Sequence, residues 1–362
     1  MGLTRLAVLV STALIGFGLP ASAAPVSAFA VPIPGAAPAA SKPDSATAVR
    51  WLQRAAAAPN QVSYHGTQII TAWGPQGASS AMFDIVHAAS QGSEVSVLGS
   101  SSAPGAKAFV QRATNTDAAI DGGPLALLQA TYQLVDKCCT DLIGRSAVLV
   151  EALRGDQTLA ARFWIDKTTG LLLQRQLFSQ DGKTMVRATV FTELEIESSE
   201  FLGHLPPMLP SGVEAVGMGK VDNLRSQGWV CAPQLPASLT LYDVHQDTSN
   251  SSLQFSYSDG LFNVSLFEQR GALDPAAVAG FTTTDTPGVY LRYGMPSYVV
   301  WSSGGIVYTL IGDLPPDQLG QVVRSFPHEV PVKLSAIQRL GTGLAKIATW
   351  LTPMGALSPK LG

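Results

Sequence analysis

The sequence predicts an α+β protein: antiparallel strand meanders preceded by a helix, followed by a smaller α+β unit. Three observations predict it. Short runs rich in Val, Ile, Thr, Phe and Trp recur along the chain, separated by Gly, Ser and Asp. Asp181-Gly182, Asp259-Gly260 and Gly304-Gly305 join such runs at hairpin spacing, where positive φ is needed. Helical periodicity is confined to a few segments, the first of which precedes the strands.

The elements follow in order. Asp44 or Ser45 can cap a helix that carries Val49, Leu52 and Ala55 to Ala58 and stops at Pro59-Asn60. Val62 to Trp73, Ala81 to His87, Glu94 to Leu98 and Ala106 to Gln111 read as strands, and Pro124 to Ala130 as a helical turn or two. Tyr132 to Asp136, Ser146 to Leu153, Leu159 to Asp166, Leu171 to Phe178 and Met185 to Leu194 return to strand character. Pro206-Pro207 and Pro210-Ser211-Gly212 mark a boundary. Beyond it, Asp222 to Gln227 reads as a short helix, and Leu239 to Val244, Leu253 to Tyr257, Leu261 to Glu268, Tyr298 to Trp301 and Ile306 to Ile311 as strands. Pro315-Pro316-Asp317 then opens a helix bearing Leu319, Val322, Val323 and Phe326. The expected organisation is a signal peptide at 1–23, an Ala/Pro linker at 24–43, units at 44–205 and 212–328, and a tail at 329–362.

The termini carry their own signals. Met1 to Arg5 has one positive charge, Leu6 to Leu19 is apolar but shorter than the roughly 20 residues a membrane span needs, and Ala21-Ser22-Ala23 fits a peptidase site. A periplasmic or otherwise extracytoplasmic location is expected, reached through a cleaved signal. In the tail, Val332, Ile337, Leu340, Leu344, Ile347 and Leu351 recur at helical spacing beside Lys333, Arg339, Lys346 and Lys360. That pattern fits either packing on the protein's own surface or contact with a membrane surface or partner.

Of 362 residues, 46% are hydrophobic and 14% charged, with a net charge of -3. The balance permits a sizeable core and lacks the basic character expected of a nucleic-acid partner. Cys138, Cys139 and Cys231 allow one disulfide in an oxidising compartment. A bond between neighbours in sequence is sterically poor, so the expected pair is Cys139 with Cys231, or Cys138 with Cys231.

Catalytic patterns are missing. His65, His87, His204, His245 and His328 stand singly, and there is no Gly-x-Ser-x-Gly elbow or His-Glu-x-x-His motif. Gly217-Met218-Gly219-Lys220 falls short of a phosphate loop, with Glu214 where the first Gly belongs and Val221 where Ser or Thr belongs. Asp166, Asp181 and Asp259 sit in turns, where Asp serves the backbone. No metal, cofactor or enzyme activity is expected. What stands out is aromatic content on the first strands, read either as ordinary core or as the lining of a concave face that holds a lipid or acyl chain.

Several blocks resemble the RseB/MucB family. Val49-Arg50-Trp51-Leu52 with Val62-Ser63-Tyr64-His65-Gly66-Thr67 is similar to its start. Arg162-Phe163-Trp164-Ile165-Asp166-Lys167-Thr168-Thr169-Gly170-Leu171-Leu172-Leu173, then Gln227-Gly228-Trp229, Tyr257-Ser258-Asp259-Gly260-Leu261 and Ile306-Val307-Tyr308 continue the likeness in order. The resemblance implies an exported regulator of an envelope-stress sigma factor. Such a protein binds the extracytoplasmic part of a membrane anti-sigma factor, protects it from proteolysis, and is released by a lipid-like ligand. It also implies a first domain similar to the lipoprotein carriers LolA and LolB, an open antiparallel half-barrel with a covering helix. A lipid or lipoprotein carrier is the alternative. On this reading Tyr64, Trp73, Phe83, Trp164 and Phe178 would line the cavity, and Tyr257, Phe262, Tyr290 and Arg292 would anchor the partner. The Ala/Pro tract, the cysteines and the basic tail depart from the family pattern.

Overall fold

Ala48, Leu52 and Ala55 fall on one stripe of the first helix, α1 (Ser45–Ala57), and all three are buried. Pro59 stops the helix in a 3-10 turn over Ala58–Asn60. The computed structural model describes residues 45–74, 77–89, 92–100, 110–113, 122–197, 213–247, 252–294 and 296–328. All lie in Ala40–Gly362, one of two units into which the chain divides. The expected signal peptide, the linker, His204, the Pro-rich boundary at 206–212 and the basic tail lie outside the described residues.

The first sheet is built from two meanders. One holds β1 (Ser63–Gly74), β2 (Gly77–Ala88), β3 (Gly92–Ser100) and β4 (Val110–Ala113). After α2 (Gly122–Thr131) the other holds β5 (Gln133–Leu142), β6 (Arg145–Leu153), β7 (Leu159–Asp166), β8 (Leu172–Phe178) and β9 (Met185–Glu197). Antiparallel pairing of β1 with β9 joins them into the order β4-β3-β2-β1-β9-β8-β7-β6-β5. Among the described residues the edges β4 and β5 do not pair, so the sheet is open.

Side chains on β6 and β7 alternate as strand geometry requires. Val148, Val150, Phe163 and Ile165 join Leu52 and Leu128 in the largest apolar cluster, whereas Ala147, Trp164 and Leu173 form a separate one. Truncating Leu52, which is fully buried, to Ala would cost about 2–5 kcal/mol.

The second sheet follows from β10 (Val213–Ala215), α3 (Val221–Ser226), β11 (Gln234–Leu235), β12 (Leu239–Asp247), β13 (Ser252–Ser258) and β14 (Asn263–Arg270). It is completed by β15 (Thr282–Thr283), β16 (Tyr290–Arg292), β17 (Ser297–Ser303) and β18 (Ile306–Gly312), and ends with α4 (Pro316–Arg324). The order is β10-β12-β13-β14-β18-β17-β16-β15, with β11 paired to β12. Trp301 and Tyr308 face each other across β17 and β18 with ring centroids 5.0 Å apart, and Phe326 beyond α4 closes over Trp301. The fold is thus α+β, with an open antiparallel sheet under α1 and a second antiparallel sheet beside it.

The two sheets meet at the turn after β13. Asp259 accepts hydrogen bonds from the Leu261 and Phe262 N–H groups, 2.8 Å each, and from the Tyr132 hydroxyl at the end of α2, 2.6 Å. Gly260 has φ +95, and a Cβ there would lie 2.2 Å from the Leu128 backbone nitrogen. The Arg175 guanidinium donates to the Leu261 carbonyl, and Arg187 pairs with Asp313 at 3.5 Å. One apolar cluster runs through this junction, from Leu52 and Leu128 to Leu261, Phe262 and Trp301.

Most predicted elements are present, with shifted ends. β2 and β5 run longer than expected because backbone pairing continues through polar residues such as Ser79, Ser80, Thr140 and Asp141. The short strands β10, β11, β15 and β16 were not predicted.

Candidate binding surface

The five residues expected to line one cavity are dispersed. Tyr64 is buried, stacked on His87 at 4.8 Å and edge-on to Phe191 at 5.7 Å, and half-buried Phe83 packs on the same group. Trp164 is buried with Ala147 and Leu173. Phe178 is buried with the Arg162 guanidinium 5.6 Å from its ring. Trp73, at the end of β1, lines a surface cleft.

The four expected partner anchors divide in two. Tyr257 and Phe262 are core residues, 0% and 1% exposed, and this corrects their assignment to a contact surface. Tyr257 is spent on an internal bond, its hydroxyl donating to the Ala232 carbonyl at 3.0 Å. Tyr290 and Arg292 both lie on β16, with Tyr290 half-buried and Arg292 exposed. Arg292 is fixed by two rings, 5.0 Å from Phe281 and 4.5 Å from Tyr298.

Next to that strand lies a cleft of about 200 Å³ at the junction of the sheets. Trp73 and Gly74 form one wall, Tyr293, Ser297 and Pro316 line the other side, and the Arg187–Asp313 pair contributes charge. Tyr293 is 37% exposed although large and aromatic. An exposed, aromatic-held Arg beside a Trp/Tyr cleft is the composition enriched in protein-contact hot spots. Sequence reasoning picked out Trp73 and Arg292 but assigned them to different sites, and it missed Tyr293, whose signal was its position directly after Arg292.

A larger cleft, about 540 Å³, lies by α3 and includes Lys220, Asn223, Gln227, Trp229, Gln246 and Arg270. Arg270 sits 4.7 Å from the Trp229 ring. On the same strand, Glu268 is fully buried. Its Oε2 accepts from the Val230 N–H at 2.9 Å, and its Oε1 has no partner. Burial pushes its carboxyl up to about 8. Burial, with Glu268 nearby, pushes the Cys231 thiol up to about 12, which leaves it a poor nucleophile.

The expected bond from Cys139, or Cys138, to Cys231 is not formed, and all three thiols are free. Cys231 is buried in the large apolar cluster, while Cys138 and Cys139 are exposed on the edge strand β5.

The histidines are engaged elsewhere. His87 is buried, its Nε2 donating to the Pro59 carbonyl and its Nδ1 accepting from the Ser93 hydroxyl, 2.7 Å each, and burial lowers its pKa. His65 contacts Asp84 at 2.8 Å and His245 contacts Asp243 at 3.2 Å. Among the described residues no group of three metal-ligating side chains converges, and no helix is long and apolar enough to cross a membrane.

Residues 103–211 match the family model described as the MucB/RseB N-terminal domain. No curated protein matches the chain. Among solved structures, MucB in complex with periplasmic MucA is 19% identical, with 80% of this chain and 100% of that one covered and a TM-score of 0.43. The Pseudomonas aeruginosa MucA/MucB complex is 18% identical, with 79% and 100% covered and a TM-score of 0.44. A LolA superfamily protein from Nitrosomonas europaea is 9% identical, with 73% and 90% covered and a TM-score of 0.18.

Proposed function

We propose that this chain, whose residues 103–211 match the MucB/RseB N-terminal domain model, is an exported negative regulator of an envelope-stress sigma factor. It binds the extracytoplasmic domain of a membrane anti-sigma factor and shields it from proteolysis, and a lipid-like ligand releases it. It acts by binding, without catalysis. The observation that carries the reading is the family match over 103–211. It is supported by an exposed Arg292 clamped between Phe281 and Tyr298, next to a cleft walled by Trp73 and Tyr293. Such a surface suits a peptide segment whose side chains fill the cleft beside Arg292.

The test is capture of partners from solubilised membranes on residues 24–362, with bound proteins identified by mass spectrometry. Recovery of a single-pass anti-sigma factor is expected. Arg292→Ala and Tyr293→Ala should each lower its affinity about tenfold, the scale of a hot-spot truncation. The purified extracytoplasmic domain should then resist protease when the protein is present. Recovery of lipids or lipoproteins without an anti-sigma factor would replace this reading with a carrier.

A further inference from the structure

We propose that Cys138 and Cys139 are a redox-active vicinal dithiol that closes reversibly into a disulfide on the edge strand of the first sheet.

Neighbouring residues on a regular strand point to opposite faces, which would hold the two sulfurs apart. Here the register interrupts that rule. Lys137 pairs with Leu149 and Thr140 with Ala147, so Cys138 and Cys139 together stand opposite Val148 alone. This is a β-bulge, one extra residue on the edge strand. It brings the two Sγ atoms to 2.9 Å, and both residues are exposed. A disulfide needs about 2.05 Å, so closure asks for a movement of about 0.9 Å.

A third group activates the pair. Lys167, from the turn after β7, places Nζ 2.7 Å from the Cys139 Sγ. Its backbone N–H donates to the Ser146 carbonyl at 2.9 Å, which fixes the turn beside the bulge. Of the other charges nearby, Asp141 acts on Lys167, and Lys137 is drawn to Glu151 at 3.8 Å. Cys138 and Lys167 hold the Cys139 thiol below its usual range. Cys139 is therefore the attacking thiolate and Cys138 the resolving thiol.

With glutathione disulfide as oxidant, the Cys139 thiolate attacks one glutathione sulfur. A Cys139–glutathione bond forms, the glutathione S–S bond breaks, and one glutathione thiolate leaves. Cys138, having lost its proton to solvent, attacks the Cys139 sulfur and expels the second glutathione thiolate. Two protein thiols are oxidised, one glutathione disulfide is reduced to two thiols, and the two cysteine protons end on them. Adjacent Cα atoms are only about 3.8 Å apart, against about 4.4–6.8 Å in ordinary disulfides. The closed ring is therefore strained and readily reduced, as regulatory disulfides are.

The test equilibrates residues 24–362 with graded mixtures of reduced and oxidised glutathione, traps free thiols with iodoacetamide, and reads the digest by mass spectrometry. In oxidising mixtures the peptide bearing Cys138 and Cys139 should lose two hydrogens and escape alkylation, and reducing mixtures should reverse this. Cys231→Ser should leave that behaviour intact. Cys138→Ser should halt at the Cys139–glutathione adduct. Lys167→Met should slow Cys139 alkylation near neutral pH by on the order of threefold, and Lys167→Arg should not. Persistent alkylation of both cysteines at every ratio would overturn the proposal, as would a cross-link from either cysteine to Cys231.

Discussion

Two turns of this molecule look alike in sequence and behave oppositely. The turn after β7 carries Asp166 and Gly170, and the turn after β13 carries Asp259 and Gly260. Both aspartates are buried, and both accept backbone N–H groups of their own turn. Each turn also approaches a helix: Gly170 lies against Arg54 of α1, and Gly260 against Leu128 of α2. The difference lies in what reaches the carboxylate from elsewhere. Asp166 pairs with Arg145 at 2.5 Å and accepts from the Thr169 hydroxyl at 2.7 Å. Burial opposes its charge, but these bonds prevail and its pKa falls. Asp259 meets the Tyr132 hydroxyl and backbone donors, with the Asp313 carboxylate adding to its burial, so burial prevails and its pKa rises. Turn chemistry sets the backbone, and a residue distant in sequence sets the charge.

The sharpest way to break the comparison is through the glycines. At Gly260 an added Cβ meets Leu128 backbone at 2.2–2.3 Å, which cannot yield, whereas at Gly170 its tightest contact is the Arg54 Cγ at 2.8 Å, which can swing away, and the Arg54 carbonyl oxygen lies farther off at 3.2 Å. Gly260→Ala should cost at least about 4 kcal/mol in a urea titration, and Gly170→Ala about 1–2 kcal/mol for the left-handed φ. Equal losses would show that the junction is not tight.

Next in size is Asp166→Asn, expected to cost about 2–3 kcal/mol at pH 7 because it strands Arg145 beside a neutral group. A lowered folded pKa gives stability that is present above the unfolded value of 3.8 and lost as pH falls through the folded one. The gap between wild type and variant should therefore close in acid. Asp259→Asn should do the reverse. A raised folded pKa means stability lost as pH rises above 3.8 toward the folded value. The variant should be more stable by about 1–2 kcal/mol at pH 8, with the gain vanishing as pH falls to about 4. Comparing variant with wild type at each pH cancels the parallel contribution of Glu268. The smallest effect is Tyr132→Phe, which removes one hydrogen bond to Asp259 and should cost about 1 kcal/mol. A null result there would place the junction's strength in apolar packing alone.

Much of the architecture was legible in the sequence. Hairpins at Asp181-Gly182, Asp259-Gly260 and Gly304-Gly305 announced themselves because positive φ needs glycine, and β7 was placed to the residue. The candidate site was less so. Aromatic type marks Trp164 as a cavity residue, whereas Phe163 and Ile165 face α1, and period-2 alternation sends Trp164 to the other face. Tyr257 and Phe262 looked like anchors because aromatic type does not disclose burial. Strand β16 was missed because its pairing, Tyr290 with Val300 and Leu291 with Val299, is supplied by the neighbouring strand rather than by local propensity. The bulge that unites Cys138 and Cys139 depends on the register with β6, a non-local property.

The pairing of β1 with β9 has a consequence for the order of events. Ser63 lies opposite Glu197 and Ala72 opposite Arg187, so the ladder that joins the two meanders spans nearly the whole first sheet in chain distance. Such non-local closure is slow compared with the local hairpins of β5 to β9. During synthesis β1 appears first and waits, one flank open, until β9 arrives. A chain interrupted before Met185 leaves that flank, with Ile69 and Ile70 in it, as a ready template for another copy's strand.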